Sequence, residues 1–350
     1  MDQTMIWGLL LVTLAGFGTG TIAWPIKLIR NFHFELFLFA FMFTGIILIP
    51  WLVMLFGVAQ PWQLIKDIGF TPLLVSNLFS ISWGIANVIY LICVVRIGAA
   101  LTGAILSALG MCVGVLLPMI IKGSGLFQQA PDIFSNAGIT VIAGLVVLII
   151  GVVLVSIAGF QREKRLKSED ASVRRRQASG NFLQGLLLVI MAGLLSSGIS
   201  LAFVYSQDTI MQAVVLQSGN DVIANFSVWA LGMFGGGLVN TGYAVYLMFK
   251  NNTGSTFFKR KQELVYGGVI GLQFILSIVA LGKGMVLLGV LGASVGFAIQ
   301  QSMQIIGNQV VGFVGGEWRG IGGKPLITMY VSLAVILMAV TILAVSRNMV

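Results

Sequence analysis

Charged residues make up only 9% of this chain, too few to cover a water-soluble globule of 350 residues with polar groups. A single histidine, His33, leaves no second imidazole for a metal centre and almost no choice of base for a Ser–His or Cys–His nucleophile. Cys93 and Cys112 both fall inside apolar runs, so they read as small buried side chains and not as a disulfide or metal site. H-E-x-x-H, the P-loop and paired intramembrane aspartates are all missing, which removes the parts of a protease, a hydrolase or an ATP-driven pump. Gly292-Ala293-Ser294-Val295-Gly296 matches G-x-S-x-G, yet its only possible base is His33 in a distant loop. Neither an enzyme nor a cofactor or metal protein is expected. No basic stretch precedes the first apolar run, which therefore reads as a membrane helix and not a cleaved leader.

What the chain has is hydrophobic length. Apolar residues account for 58% of it and gather in runs of about 20, enough for a helix to cross a hydrocarbon core of roughly 30 Å. Ten runs can be marked, at 5–26, 34–57, 71–95, 98–121, 138–160, 182–206, 222–249, 264–289, 291–315 and 325–346. The third and fourth touch at Arg96-Ile97-Gly98 and the eighth and ninth near Gly289, so each pair must fold back tightly. The 44 glycines suit close helix approach. The expected fold is an all-α polytopic membrane protein of ten transmembrane helices.

The net charge of +9 would suggest nucleic acid only if its placement were ignored. With 161–180 (QREKRLKSEDASVRRRQASG) in the cytoplasm, alternate loops collect Lys27, Arg30, Arg96, seven residues between Arg162 and Arg176, Lys250, Lys259, Arg260, Lys261, Arg319 and Lys324. That is 16 of the 20 basic residues, and adding or removing one span would scramble the alternation. Both termini then lie outside, in a bacterial-type inner membrane.

The same segment divides the chain into 1–160 and 181–350, each holding five runs. GLLLVTLAG (8–16) opens one half and GLLLVIMAG (185–193) the other, identical at seven of nine positions. Gly98-Ala99-Ala100 and Gly292-Ala293-Ser294 repeat in step at the fourth and ninth runs. Five is odd, so the second copy enters from the opposite side. Inverted repeats of this kind are common in secondary transporters, with the substrate near midplane between the halves.

The stretch WGIANVIYLICVVRIG (83–98) resembles the third-helix signature of the L-rhamnose–proton symporter family, within the drug/metabolite transporter superfamily. Further points of similarity follow in order: Pro25 with Lys27, Glu35, Pro50-Trp51, Pro118, Met191 and Gly193 with Ser196, Gly198 and Ser200, Gly235–Gly237 with Asn240, and Glu317-Trp318. The resemblance implies a ten-helix carrier of paired five-helix repeats that imports a sugar, rhamnose-like or a related metabolite, with protons. It also implies a functional place for Asn240. The chain departs from the family pattern at GVLGASVGF (289–297), where polar and aromatic residues, including an acid, are expected. A same-superfamily exporter or exchanger of a sugar acid or drug-like compound is the alternative.

Polar side chains inside apolar runs are costly unless they face a partner or a wet cavity. Trp83, Asn87 and Tyr90 follow i, i+4, i+7, an aromatic–amide mixture suited to a sugar's apolar face and hydroxyls. Gln300, Gln304 and Asn308 follow i, i+4, i+8, and amides donate and accept as hydroxyls do. That stripe lines either the cavity or a helix interface. Trp24 joins the substrate candidates as a departure between the copies. For coupling, Glu35 alone among the acids begins a long apolar run; it is either a proton or gate carboxylate or a helix-start acid paired with Lys27 or Arg30. Lys283 lies inside the eighth run, where it snorkels outward, binds an anionic cargo or titrates in place of an acid; with Glu35 and Lys27 it is a candidate for coupling or gating.

Overall fold

The structure, a computed structural model, describes residues 3–29, 33–97, 99–121, 131–169, 182–289 and 292–346. Arg30, Gly98 and most of the basic linker, including Arg174–Arg176, lie outside the described residues, as does the side chain of Lys27. Among the described residues there are helices and turns and no strand. In chain order the principal helices are α1 (Gln3–Gly20), α2 (Phe34–Gly57), a short α3 (Pro61–Ile68), α4 (Phe70–Ile97), α5 (Ala99–Ile120) and α6 (Asn136–Glu169). They continue as α7 (Leu183–Ser218), α8 (Asp221–Gly232), α9 (Phe234–Lys250), α10 (Lys261–Leu288), α11 (Phe297–Val314) and α12 (Lys324–Val345).

Among the described residues, seven helices are long and apolar enough to cross a membrane, and α8 with α9, bent by 57°, makes an eighth. The chain is therefore a polytopic helical membrane protein. The other two sequence runs are helical too, as α5 and α11. The described apolar stretch of α5 is Ile105–Ile120, while α11 carries five side-chain amides that dilute its hydropathy. Large apolar side chains such as Leu14, Leu187 and Ile327 point outward, each about 60% exposed, as they must where the solvent is lipid and not water.

Membrane helices gain little by hiding apolar surface from one another, so close backbone approach decides which of them pair. Glycine provides it. A Cβ on Gly16 of α1 would lie 2.3 Å from the Gln300 carbonyl of α11, and one on Gly193 of α7 would lie 2.8 Å from Leu109 Cβ of α5. Gly8 of α1 meets the Gly284 carbonyl of α10, and the Gly185 carbonyl of α7 accepts a hydrogen bond from Cys93 Sγ of α4.

The helix pairs form a regular pattern. α1 packs on α10 and α11, as α7 packs on α4 and α5. α2 packs on α10 as α9 packs on α4; α5 packs on α6 as α11 packs on α12; α2 also meets α9, and α6 meets α12. α10 stops at Gly289, whose φ of +63° is a left-handed conformation that favours glycine and turns the chain sharply.

One end of the bundle gathers the described basic loops. The start of α2 meets the α9–α10 connection through Glu35, which accepts from Thr253 Oγ1 at 2.8 Å and Asn251 Nδ2 at 3.2 Å. The end of α6 meets the α11–α12 connection through Arg162 and Glu317, 2.9 Å apart, and through Arg165, which donates to the Gly322 carbonyl.

Candidate functional site

The bent pair α8–α9 shapes the site. A helix broken inside a membrane strands backbone donors and acceptors that water cannot reach. Here α4 answers them from one stripe. Asn77 Nδ2 donates to the Leu231 carbonyl at 2.7 Å, Ser76 Oγ to Gly232 at 3.2 Å and Ser80 Oγ to Met233 at 3.0 Å. In return the Gly235 and Gly236 amides donate to Asn77 Oδ1 and Ser80 Oγ, at 2.7 and 2.8 Å. Gly236 also lets the helices touch, since a Cβ there would meet Ser80 Oγ and the Ser80 carbonyl at 2.5 Å. The break is thereby docked on α4, and the next turns of α4 carry Trp83, Asn87 and Tyr90.

Beside this seam lies a cavity of about 740 Å³, within the range of small-molecule sites. Trp83, Asn87 and Tyr90 of α4, Asn240 of α9, and Gln300 and Gln304 of α11 all line it. Gln301, Asn308 and Gln309 join them, so the amide stripe faces the cavity along much of α11 while its backbone meets the glycines of α1. Asn87 Nδ2 donates to Asn240 Oδ1 at 3.3 Å, and Asn240 Nδ2 donates to the Gly236 carbonyl at 2.8 Å. Gln300 Nε2 donates to Thr19 Oγ1 of α1 at 2.9 Å and to Gln304 Oε1 at 3.1 Å. Its buried Oε1 has no hydrogen-bond partner among the described residues. The central cavity thus offers amide donors and acceptors between aromatic walls.

Among the described lining residues the charged ones are Arg162, Glu163 and Glu317. All three sit at the basic end. Val152, Val155, Ser156, Gly159 and Arg162 carry the lining along one face of α6 to that end, where the Arg162 guanidinium lies 5.5 Å over the Trp318 ring while pairing with Glu317. Toward the opposite end the walls are mainly aromatic, with Phe203 of α7, Trp229 of α8, Phe274 of α10 and Phe297 of α11, and with Ser200 of α7 beside Phe297.

Three sequence candidates fall outside the lining. Trp24 occupies a 3-10 turn after α1, where its Nε1–H donates to Gln273 Oε1 at 3.2 Å and its ring meets Tyr266 edge-on at 5.8 Å. Glu35, in the first turn of α2, is buried but is held by Thr253 and Asn251 of the α9–α10 connection. Lys283 is exposed on the last turns of α10. Lys27 has only its backbone described. Thr19, Trp229 and the Arg162–Glu317 pair belong to the site without having been singled out for it. A signal did exist for Thr19, because Ser196, its counterpart 177 residues on, also lines the cavity. Glu317-Trp318 appeared among the points of family similarity, though not as a site.

A helical membrane bundle around an internal, amide-lined cavity has the architecture of a small-molecule carrier. The chain belongs to the L-rhamnose-proton symport protein (RhaT) family, whose model matches residues 1–349. It is similar to the L-rhamnose-proton symporters of Klebsiella pneumoniae and Pectobacterium atrosepticum, each 24% identical over 327 and 332 residues and each aligned over 91% of both chains. The symporter of Salmonella newport is 23% identical over 327 residues, again with 91% coverage on both sides.

Proposed function

We propose that this chain imports L-rhamnose or a closely related deoxysugar together with protons by alternating access across a bacterial inner membrane. The observation that carries the choice of cargo is the central lining. Asn87, Asn240, Gln300 and Gln304 are neutral groups that both donate and accept, set among aromatic rings, which is the chemistry of a neutral polyhydroxylated ring. Lys283, which would have favoured an anionic cargo, lies outside that lining.

The carrier reads as ten spans in two inverted five-helix halves, 1–160 and 181–350, joined by the basic linker 161–180. Support comes from the helix pairs, which map onto themselves when α1, α2, α4, α5 and α6 are exchanged for α7, α8–α9, α10, α11 and α12. It comes also from Gly16 and Gly193, where an added Cβ would lie 2.6 Å from Met303 Cβ of α11 and 2.8 Å from Leu109 Cβ of α5. In this reading α5 and α11, the fourth and ninth in chain order, complete the ten spans, 161–180 and the basic loops are cytoplasmic, both termini are outside, and the cavity faces inward.

Glu35, with Lys27 beside it in sequence, is our candidate for the coupling group. A buried carboxylate that accepts from Thr253 and Asn251 ties α2 to the α9–α10 connection, and protonation would weaken that tie. Glu35 itself is not among the lining residues, whereas Phe34 and Phe37 beside it are, so the coupling we propose is indirect. The deciding experiment is uptake of labelled L-rhamnose and sugar acids by purified protein in liposomes, with and without an inward proton gradient. Gradient-driven accumulation of L-rhamnose is expected; uptake of sugar acids alone, or indifference to the gradient, would reject the reading.

A further inference from the structure

The repeated phrases relate the two halves by 177 residues for α1 and α7 and by 194 for α5 and α11. The packing keeps the same offsets. A Cβ on Gly16 of α1 would lie 2.6 Å from Met303 Cβ of α11, and one on Gly193 of α7 would lie 2.8 Å from Leu109 Cβ of α5. Each residue of one contact is the counterpart of a residue in the other.

Where α5 and α11 cross, the same offsets meet an asymmetry. Gly114, near the end of α5, packs on Phe297 at the start of α11. A Cβ on Gly114 would lie 3.1 Å from Phe297 Cε1, and Ser200 Oγ of α7 donates to the Gly114 carbonyl at 3.4 Å. The ring thus occupies the place that a side chain at 114 would take. The counterparts of Gly114 and Phe297 are Asn308, near the end of α11, and Gly103, near the start of α5. Both line the cavity, and a Cβ on Gly103 would meet nothing within 4 Å among the described residues. Glycine inside a helix is destabilising relative to alanine, and nothing around Gly103 in this conformation requires one.

On the reading that the chain is two inverted halves that alternate, we propose that Gly103 and Asn308 form the cytoplasmic seal of the outward-facing state. In such a carrier each half takes up, in the other state, the arrangement its partner half has in this one. A contact made near the outer ends of α5 and α11 is then exchanged for its counterpart near their inner ends. Close glycine contacts hold α1 to α11 and α7 to α5, so each pair moves as a body and the α5–α11 crossing is what changes. The Asn308 side chain enters the space over Gly103 as Phe297 does over Gly114. Knob and hole have changed helices, and their sizes still match. Asn308 is exposed here, and an amide suits a knob that spends one state in water.

The direct test is the double variant Gly103→Cys/Asn308→Cys in a Cys93→Ala/Cys112→Ala background, reconstituted in liposomes. A disulfide needs Cα atoms within about 7 Å, so its formation reports the approach. Oxidation with copper phenanthroline should join the pair and slow L-rhamnose uptake at least ~10-fold, and reduction should restore it. Gly114→Cys/Phe297→Cys should cross-link as well, since that contact already exists. Cross-linking of this second pair alone, or a Gly103–Asn308 cross-link that leaves uptake unchanged, would overturn the proposal. Gly103→Leu decides the matter if the paired variant fails to fold. Its side chain enters open space, so the thermal midpoint in detergent should not fall. The seal can no longer close, so the maximal uptake rate should drop at least ~10-fold, while equilibrium L-rhamnose binding stays within about threefold. A normal rate in Gly103→Leu, or an equal loss of rate and binding, would overturn the seal. No uptake by the unaltered chain would reject the sugar-carrier reading, and the cross-link would still decide whether Gly103 and Asn308 meet.

Discussion

Gln300 Nε2 of α11 donates to Thr19 Oγ1 of α1 at 2.9 Å, while its own buried Oε1 has no partner among the described residues. One residue thus ties two helices together and carries that buried acceptor. Gln300→Leu removes both functions at similar volume. Its uptake KM should rise by roughly 10- to 100-fold, the range for losing a buried hydrogen-bonding group. Unchanged KM in correctly folded protein would show that the amide serves packing alone.

Gly16 and Gly193 make equivalent close contacts, so equivalent damage is expected from filling them. Gly16→Ala sets a methyl 2.3 Å from a backbone carbonyl that cannot rotate away. Gly193→Ala sets one 2.8 Å from Leu109 Cβ. Overpacking of this kind costs about 1–3 kcal/mol. Thermal unfolding in detergent should therefore show a lowered midpoint for both variants. A loss confined to one of them would argue against equivalent halves.

The helices themselves were legible in the sequence because apolar length leaves few alternatives to a membrane span. The packing was partly legible: the repeated GLLLV phrases mark glycines that settle which helices touch. Trp83, Asn87 and Tyr90 came together because the α-helical period places i, i+4 and i+7 on one face whatever the neighbours do. The docking of the α8–α9 break was not legible. Ser76 and Asn77 bond backbone atoms about 155 residues away, and nothing local distinguishes them from other small polar residues. The surroundings of Trp24 were not legible for a similar reason, since its partner Gln273 lies on a distant helix and Trp24 is not among the lining residues. Trp229 looked like any other aromatic in an apolar run.

At the mouth, Arg162 and Glu317 are 24% and 29% exposed, so solvent screens much of their attraction. Glu317→Gln should change the unfolding free energy by less than about 1 kcal/mol. Transport should respond more strongly, because the pair spans α6 and the α11–α12 connection at the cavity entrance. Side-by-side measurement of thermal midpoint and uptake rate in Glu317→Gln and Arg162→Gln separates the two effects; proportional losses of both would mean that the pair is structural.

Glu35→Gln retains a carbonyl that can accept from Thr253 or Asn251 but cannot take up a proton near neutral pH. With coupling through Glu35, downhill L-rhamnose exchange should persist while gradient-driven accumulation is lost. Simultaneous recording of sugar counterflow and proton uptake in liposomes checks this. Accumulation equal to that of the unaltered chain would remove Glu35 from the coupling path.

Orientation is open to direct chemistry. Cysteines placed at Asn308 and at Phe258 should react with a membrane-impermeant maleimide only after the cytoplasmic face is exposed. One at Phe70, by contrast, should react in intact cells. Reversed labelling would invert the assigned topology.

The neutrality of the central lining has an electrical consequence. Neither the cargo nor the amides that hold it carry charge through the field, so the membrane voltage does work only on the accompanying proton. For each elementary charge, 100 mV contributes about 2.3 kcal/mol, and a driving force of that size sustains a roughly 50-fold sugar gradient at one proton per sugar. Sugar accumulation and membrane current would then rise and fall together, and the cell would read its voltage as stored deoxysugar.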